Sequence, residues 1–362
     1  MMNLKPKIFD WYIAKTVIGS TLVALFLLVS IDGFFAFIDQ LENVGKNQYH
    51  LSTGFLFVLL TLPRRIYELF PMAALLGSLL GLGSLASGSE LVVMRAVGFS
   101  IGRIAVPVLG AGLLLMLLVT LNGEVLAPSG EKMALALREE ALSSGASLNE
   151  DKGFWARDGK SFVNIRTVLA SGLLKDMYVY EFDDKHRMTL ATHAASASYE
   201  SGKWLLQGVQ QSFISDGGVI VQKVDSVSWD SSLDPNLMNV VAVEPERLST
   251  LDLAKYIRYL DENKLDPRRY ELAFWVRIVS PLSALVMLLL AMPFVFGPLR
   301  SVGAGQRILV GVMFGMGFSI LNDAMNHAGQ VFQLNPILSA SLPTMLFLAL
   351  GIYLLRKQSG LR

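Results

Sequence analysis

The sequence predicts a polytopic α-helical membrane protein of six transmembrane helices, with one all-β, jellyroll-like domain inserted between the third and the fourth. Three observations carry this. Six apolar runs each approach the roughly 20 residues that a helix needs to cross ~30 Å of hydrocarbon. A long polar, strand-like stretch from Pro128 to Tyr270 divides them three and three. Composition agrees, since 52% of the chain is apolar and only 17% is charged, outside the ordinary range of soluble domains.

Residues 1–127 hold the first three spans, near Tyr12–Ile38, Phe55–Ala86 and Ile104–Leu126. No small-residue cleavage site follows the first apolar run, so it reads as a retained span. Residues 271–362 hold Leu272–Phe296, Ile308–Met325 and Leu334–Leu355. Trp11, Tyr12, Trp275 and Tyr353 stand where interfacial aromatic residues belong. Basic residues flank one set of loops: Lys5, Lys7, Lys15, Arg95, Arg103, Arg300, Arg307, Arg356, Lys357 and Arg362. The opposite loops carry Asp39, Glu42 and Lys46, or only His327. The positive-inside rule then places both termini in the cytoplasm and the inserted domain outside.

The second span is unusual. Residues 52–86 would make a helix of about 50 Å, too long for an upright crossing. Arg64, Arg65 and Glu68 lie within it, bracketed by Pro63 and Pro71. Either the part before Pro71 lies in the outer interface, or the helix tilts and projects from the membrane.

The inserted domain, 128–270, alternates in short runs: GFWAR, SFVNI, DMYVYEF, KWLLQG and VIVQKVDSVSW. Asp158-Gly159 and Asp216-Gly217-Gly218 are hairpin chemistry. Strands of this length and spacing predict a sandwich, barrel or jellyroll. Ser249–Leu265 reads as a helix that leads back to the membrane at Pro267. Gly159-Lys160-Ser161 after Gly153 resembles a phosphate-binding loop, but five residues separate the glycines' anchors where four are needed, and a strand follows where a helix should. A hairpin is the better assignment, and the chain has no nucleotide-binding domain of its own.

The loop SGSELVVMRAVGFS between the second and third spans is the most informative short stretch. Ser87 and Glu90 fit a capping box, and Gly98 is placed to close the helix in a left-handed cap. Leu91, Val92, Met94 and Val97 give it an apolar surface, with Arg95 beside them. So short a helix is stable only if it docks, either on lipid or in a cytoplasmic partner subunit.

Charges inside the membrane are costly and face cavities or one another. Asp32 and Asp39 share a face of the first helix, and Arg64 and Glu68 are spaced to pair. The alternative to simple pairing is a vestibule lined by Arg64, Arg65, Lys132 and Arg138, whose cations would meet lipid phosphates. Asp323 and His327, with Asn322 and Asn326 beside them, suit interhelical hydrogen bonding better than a proton relay or a metal site. Gly77-x-x-x-Gly81 and Gly311-x-x-x-Gly315 allow close helix approach and would permit a dimer.

The net charge of +1 offers nothing to nucleic acid. Without cysteine there are no disulfides, thiolate sites or cysteine nucleophiles. His50, His186, His193 and His327 do not cluster, and no catalytic constellation is evident.

Three stretches carry a resemblance: ELFPMAALLGSLLGLGSLASGSELVVMRAVGFS (68–100), GFWARDGKSFVNI (153–165) and FGPLRSVGAGQRILVG (296–311). Over essentially its full length the chain resembles the LptF/LptG permeases, and its wording is closer to the LptG branch. The resemblance implies a permease subunit, not an enzyme, in the inner membrane of a Gram-negative bacterium. An LptF-like permease would be its heterodimer partner, two copies of an LptB-like ATPase would bind ATP and Mg, and an LptC-like periplasmic protein would follow. The substrate would be lipopolysaccharide, taken from the outer leaflet, and the inserted domain a periplasmic β-jellyroll. Glu90–Gly98 would be the coupling helix seated in the ATPase groove, within a segment at about 87–98. The first and fifth spans would border the gates through which lipid enters. Relatives often carry lysines at the outer end of the first helix, where this chain has Ala36, Asp39 and Glu42. Asp39 matches an acidic position and Arg138 a basic one, whereas the neighbouring basic position is Leu135. ATP closure would then move the loop helix, tilt the spans and squeeze lipid upward. Two other functions stay open: mechanotransmission without lipid carriage, and gradient-driven secondary transport through Asp323 and His327.

Overall fold

The computed structural model describes residues 8–142, 154–158, 161–168, 173–183, 185, 187–200, 203–215, 217–229, 231, 245–297 and 302–359. Of the residues singled out above, Lys5, Lys7, Gly153, Gly159, Lys160, His186, Asp216, Arg300 and Arg362 lie outside these. The chain forms two compact units. One comprises residues 1–42, 58–132 and 268–362, and the other comprises 43–57 and 133–267.

The first unit is helical. It contains α1 (Ile8–Leu41), most of α2 (Leu51–Ser87), α3 (Glu90–Ala96) and α4 (Ile101–Leu121). A π-turn at Asn122–Leu126 leads without a break into α5 (Ala127–Leu142). Six helical stretches are long and apolar enough to cross a membrane: α1, α2, the continuous run Ile101–Leu142, and three after the insertion. The last three are α7 (Arg268–Phe296), α8 (Ala304–Val331) and α9 (Pro336–Ser359). The second span is one unbroken helix through both Pro63 and Pro71, tolerable because neighbouring helices can satisfy the carbonyls that proline strands. The third span runs well past the expected Leu126, since the helix continues to Leu142.

Small residues set the helix spacing. A Cβ at Gly77 would stand 2.3 Å from the Thr21 backbone, and one at Gly81 would stand 2.3 Å from the Ser20 hydroxyl. At Gly311 and Gly315 it would meet Leu76 at 2.5 Å and Met72 at 2.6 Å. Both glycine pairs are therefore used inside the chain, the first joining α2 to α1 and the second joining α8 to α2. The core around them includes Val17, Leu79, Leu82, Ile104, Leu288 and Ala291, all fully buried.

The second unit holds six antiparallel strands in sequential order: β1 (Phe154–Asp158), β2 (Ser161–Val168), β3 (Leu174–Phe182), β4 (Met188–Glu200), β5 (Lys203–Ser215) and β6 (Gly218–Trp229). The described strands of the inserted domain form one antiparallel sheet, as expected, with helices α5 and Thr250–Glu262 on either side of it in sequence. Its described strands run as a meander, without the Greek-key crossing that defines a jellyroll. Asp158 pairs with Ser161, and β2 begins at Ser161, so a strand and not a helix follows. At the β3–β4 turn, backbone amides of Arg187 and Lys185 donate to Asp183 and hold its carboxyl below the ordinary carboxylate range.

One face of the sheet is closed by Val163, Ile165, Met177, Val179, Trp204 and Val209, each at most 2% exposed. The alternation slips by one residue on a line across three strands. Leu174 and Met177, Ala194 and Ala197, and Leu206 and Val209 all face inward. Asp176 (φ 53°) and Gly208 (φ 62°) sit on that line, and their left-handed backbone absorbs the extra residue. α6 (Thr250–Glu262) is capped by Ser249, whose hydroxyl accepts from the Asp252 amide at 3.1 Å. In the same unit, the Gln48 amide donates to Ala141 O at 3.0 Å and the Asn47 side chain donates to Leu142 O. The tip of the α1–α2 hairpin thus caps the end of α5.

Candidate functional site

Two places in the helical unit concentrate charge and irregular backbone. The first is α3. The expected capping box does not form. Ser87 is still in α2, and its hydroxyl donates back to Gly83 O at 3.1 Å and Ser84 O at 3.0 Å. Ser89 occupies the position before α3 in a left-handed conformation (φ 64°), with no side-chain cap. The backbone turns too tightly there for a serine two residues earlier to reach the helix start.

The other end of α3 is as expected. Gly98 has φ 100°, the Gly98 amide donates to Arg95 O and the Phe99 amide donates to Met94 O. Those two bonds make a Schellman closure. Leu91 and Met94 are 2% and 6% exposed, so they anchor the helix to its own core. The outward surface is Val93, Val97, Ala96 and Arg95, with Glu90 at its edge. Val93 was not among the sequence candidates. Its exposure follows once Leu91 and Met94 turn inward, since i and i+4 place Val93 beside Val97. Beyond α3, Ser100 caps α4, and Arg103 of α4 pairs with Asp10 of α1 at 2.5 Å. Arg307 of α8 is buried against Gly83.

The second place is the charged stretch of α2. Arg64 Nε meets Glu68 at 2.7 Å, and its Nη1 meets the buried Glu131 of α5 at 3.2 Å. Arg65 pairs with Asp32 of α1. The pairing expected for Arg64 and Glu68 is present. Two further carboxylates, Asp32 and Glu131, complete a network across α1, α2 and α5. Asp39 is exposed on α1, and Lys132 lies on the exposed side of α5. Arg138 belongs to the second unit, where its guanidinium lies 5.8 Å from the ring centre of Phe57. The network extends where sequence did not point. Arg277 of α7 holds Glu124 at 2.9 Å and also donates to Gly123 O. An arginine inside an apolar span was itself the signal.

His327 Nδ1 lies 2.8 Å from the carbonyl of Asp323 in its own helix, and both residues are exposed. No side-chain pairing between them occurs. Among the described residues no group of three or more His, Cys, Asp or Glu could hold a metal ion.

Residues 11–357 match the family described as lipopolysaccharide export system permease LptF/LptG. The chain is similar to the lipopolysaccharide export system permease protein LptG of Escherichia coli (strain K12), with 38% identity over 355 residues, covering 97% of this chain and 99% of that protein. It is equally similar to the LptG protein of Haemophilus influenzae, at 38% over 351 residues, covering 96% of this chain and 98% of the relative.

Proposed function

Because the chain belongs to the LptF/LptG family of lipopolysaccharide export permeases, we propose that it is the LptG-type membrane subunit of an ATP-driven exporter. In this reading it lies in the bacterial inner membrane with α3 in the cytoplasm and the sheet domain in the periplasm. An LptF-like permease completes the membrane portion. Two copies of an LptB-like ATPase bind ATP and Mg, and this chain itself holds no cofactor. Lipopolysaccharide enters from the outer leaflet and is handed to an LptC-like periplasmic protein.

The observation that carries the proposal is the two-sidedness of α3. One side, Leu91 and Met94, is buried in the chain's own core. The other presents Val93 and Val97 with Arg95 and Glu90. A seven-residue helix is too short to persist alone, and an apolar pair ringed by charge is the form of a protein contact with a desolvated centre. A stroke applied there reaches the helices through the same short connections that start and end α3. Secondary transport gains no support from Asp323 and His327, since the histidine ring bonds to the backbone carbonyl of Asp323 and not to its carboxylate.

Reconstitution of the complete complex tests this. Glu90→Ala and Val93→Asp should each reduce ATP-dependent lipid release at least tenfold while the assembly still forms. Wild-type release in both variants, or release driven by an ion gradient without ATP, would overturn it.

A further inference from the structure

Beside α2, two helical runs of the first unit interrupt their own hydrogen-bond ladders, and a side chain from another helix answers each stranded carbonyl. Proline has no N–H to offer the carbonyl four residues before it. Pro281 therefore strands Arg277 O in α7, and the Tyr67 hydroxyl of α2 donates to that oxygen at 2.8 Å. In the π-turn the Ala127 N–H donates to Asn122 O, five residues back. The next carbonyl, Gly123 O, would look to position 128, which is Pro128. The Arg277 guanidinium donates to it instead. Arg277 also holds the Glu124 carboxylate, and lies 5.7 Å from the Tyr67 ring centre. Asn122 Nδ2 closes the circuit by donating to Pro63 O of α2 at 2.6 Å. A Cβ at Gly123 would stand 2.4 Å from the Tyr67 ring, so only glycine fits there.

We propose that Arg277 is the positioning residue of a register switch that decides whether Arg64 is available to an anionic lipid headgroup. The inference rests on the export function proposed above. The switch has two states that differ in the register of the turn's backbone hydrogen bonds. In the state described, Ala127 N–H bonds Asn122 O and Arg277 occupies Gly123 O. If Arg277 withdraws, Ala127 N–H moves to Gly123 O and the turn becomes α-helical. Removing one residue's worth of widening turns the helix beyond it by roughly 100° and carries a side chain there on the order of 8 Å. α5 lies beyond it, and α5 carries Glu131, the 4%-exposed carboxylate that holds Arg64 Nη1. Turning α5 takes Glu131 away. The guanidinium edge it leaves has the fork geometry that phosphate requires.

The test uses a spin-label pair on either side of the turn. Leu114→Cys and Ser129→Cys are both at exposed positions, and the chain has no cysteine of its own. The complete complex is assembled with cysteine-free partners. In the otherwise unaltered chain, ATP turnover should add a second distance displaced by several ångströms. Arg277→Gln combined with Glu124→Gln, which strands no carboxylate, should populate that distance without nucleotide. The same variant should retain several-fold more lipopolysaccharide through purification, and adding Arg64→Gln should remove the gain. If the double variant does not assemble, Arg277→Lys replaces it, since an ammonium cannot serve Gly123 O and Glu124 with the same fork. A single distance, unmoved by ATP and by the variants while the unaltered complex still retains lipid, would overturn the switch and leave the export reading standing. If the unaltered complex retains no lipid, the export reading fails, and the label distances still decide the switch.

Discussion

Glycine and arginine decide most of what is specific about this chain. Gly77 and Gly81 let α1 approach α2 until backbone meets backbone, and a leucine at Gly77 would have to displace Thr21. Overpacking of this kind costs about 1–3 kcal/mol. Gly77→Leu should therefore lower the thermal midpoint of the detergent-solubilised protein by several degrees, whereas Gly110→Leu, with open space around it, should leave it nearly unchanged. Fluorescence-monitored melting of the two variants checks this. The i, i+4 spacing of Arg64 and Glu68 was legible in the sequence. The pairing of Arg64 with Glu131 and of Arg65 with Asp32 was not, because those carboxylates lie far along the chain and only the folded helices bring them near. The expected vestibule of Arg64, Arg65, Lys132 and Arg138 is met in the fold by carboxylates on Arg64 and Arg65.

Elements show a similar division. Apolar length gave all six spans, since hydrocarbon thickness leaves little choice. The end of α3 was equally plain, because Gly98 must take a conformation that other residues resist. Its start was misread, as the Ser-x-x-Glu spacing is necessary for a capping box without being sufficient. Gly98→Val should loosen the helix by about 1–2 kcal/mol, seen as faster amide exchange across residues 90–100 with the core of α2 unaffected. Equal exchange in both proteins would contradict the assigned closure. The π-turn escaped the sequence reading altogether, though Gly123 and Pro128 mark it in retrospect. In the sheet, alternation was visible strand by strand, but the slip across Asp176 and Gly208 depends on three strands shifting together. No single strand announces it.

For the whole molecule, the order of spans and insertion was readable and so was the family. The orientation proposed here can be checked directly, because the chain has no thiol of its own. In intact cells a membrane-impermeant maleimide should label Gln222→Cys on β6 and spare Val97→Cys. After permeabilisation both should react. The reverse pattern would place the sheet in the cytoplasm and end the export reading.

Both glycine pairs converge on α2, one through α1 and the other through α8. A mast stayed from two sides cannot swivel in its step, and α2 is rigged in that way. Whatever pushes on the foot of α2 must therefore move three spans as one spar, and the chain has given up the freedom of a single helix for the stiffness of a braced one.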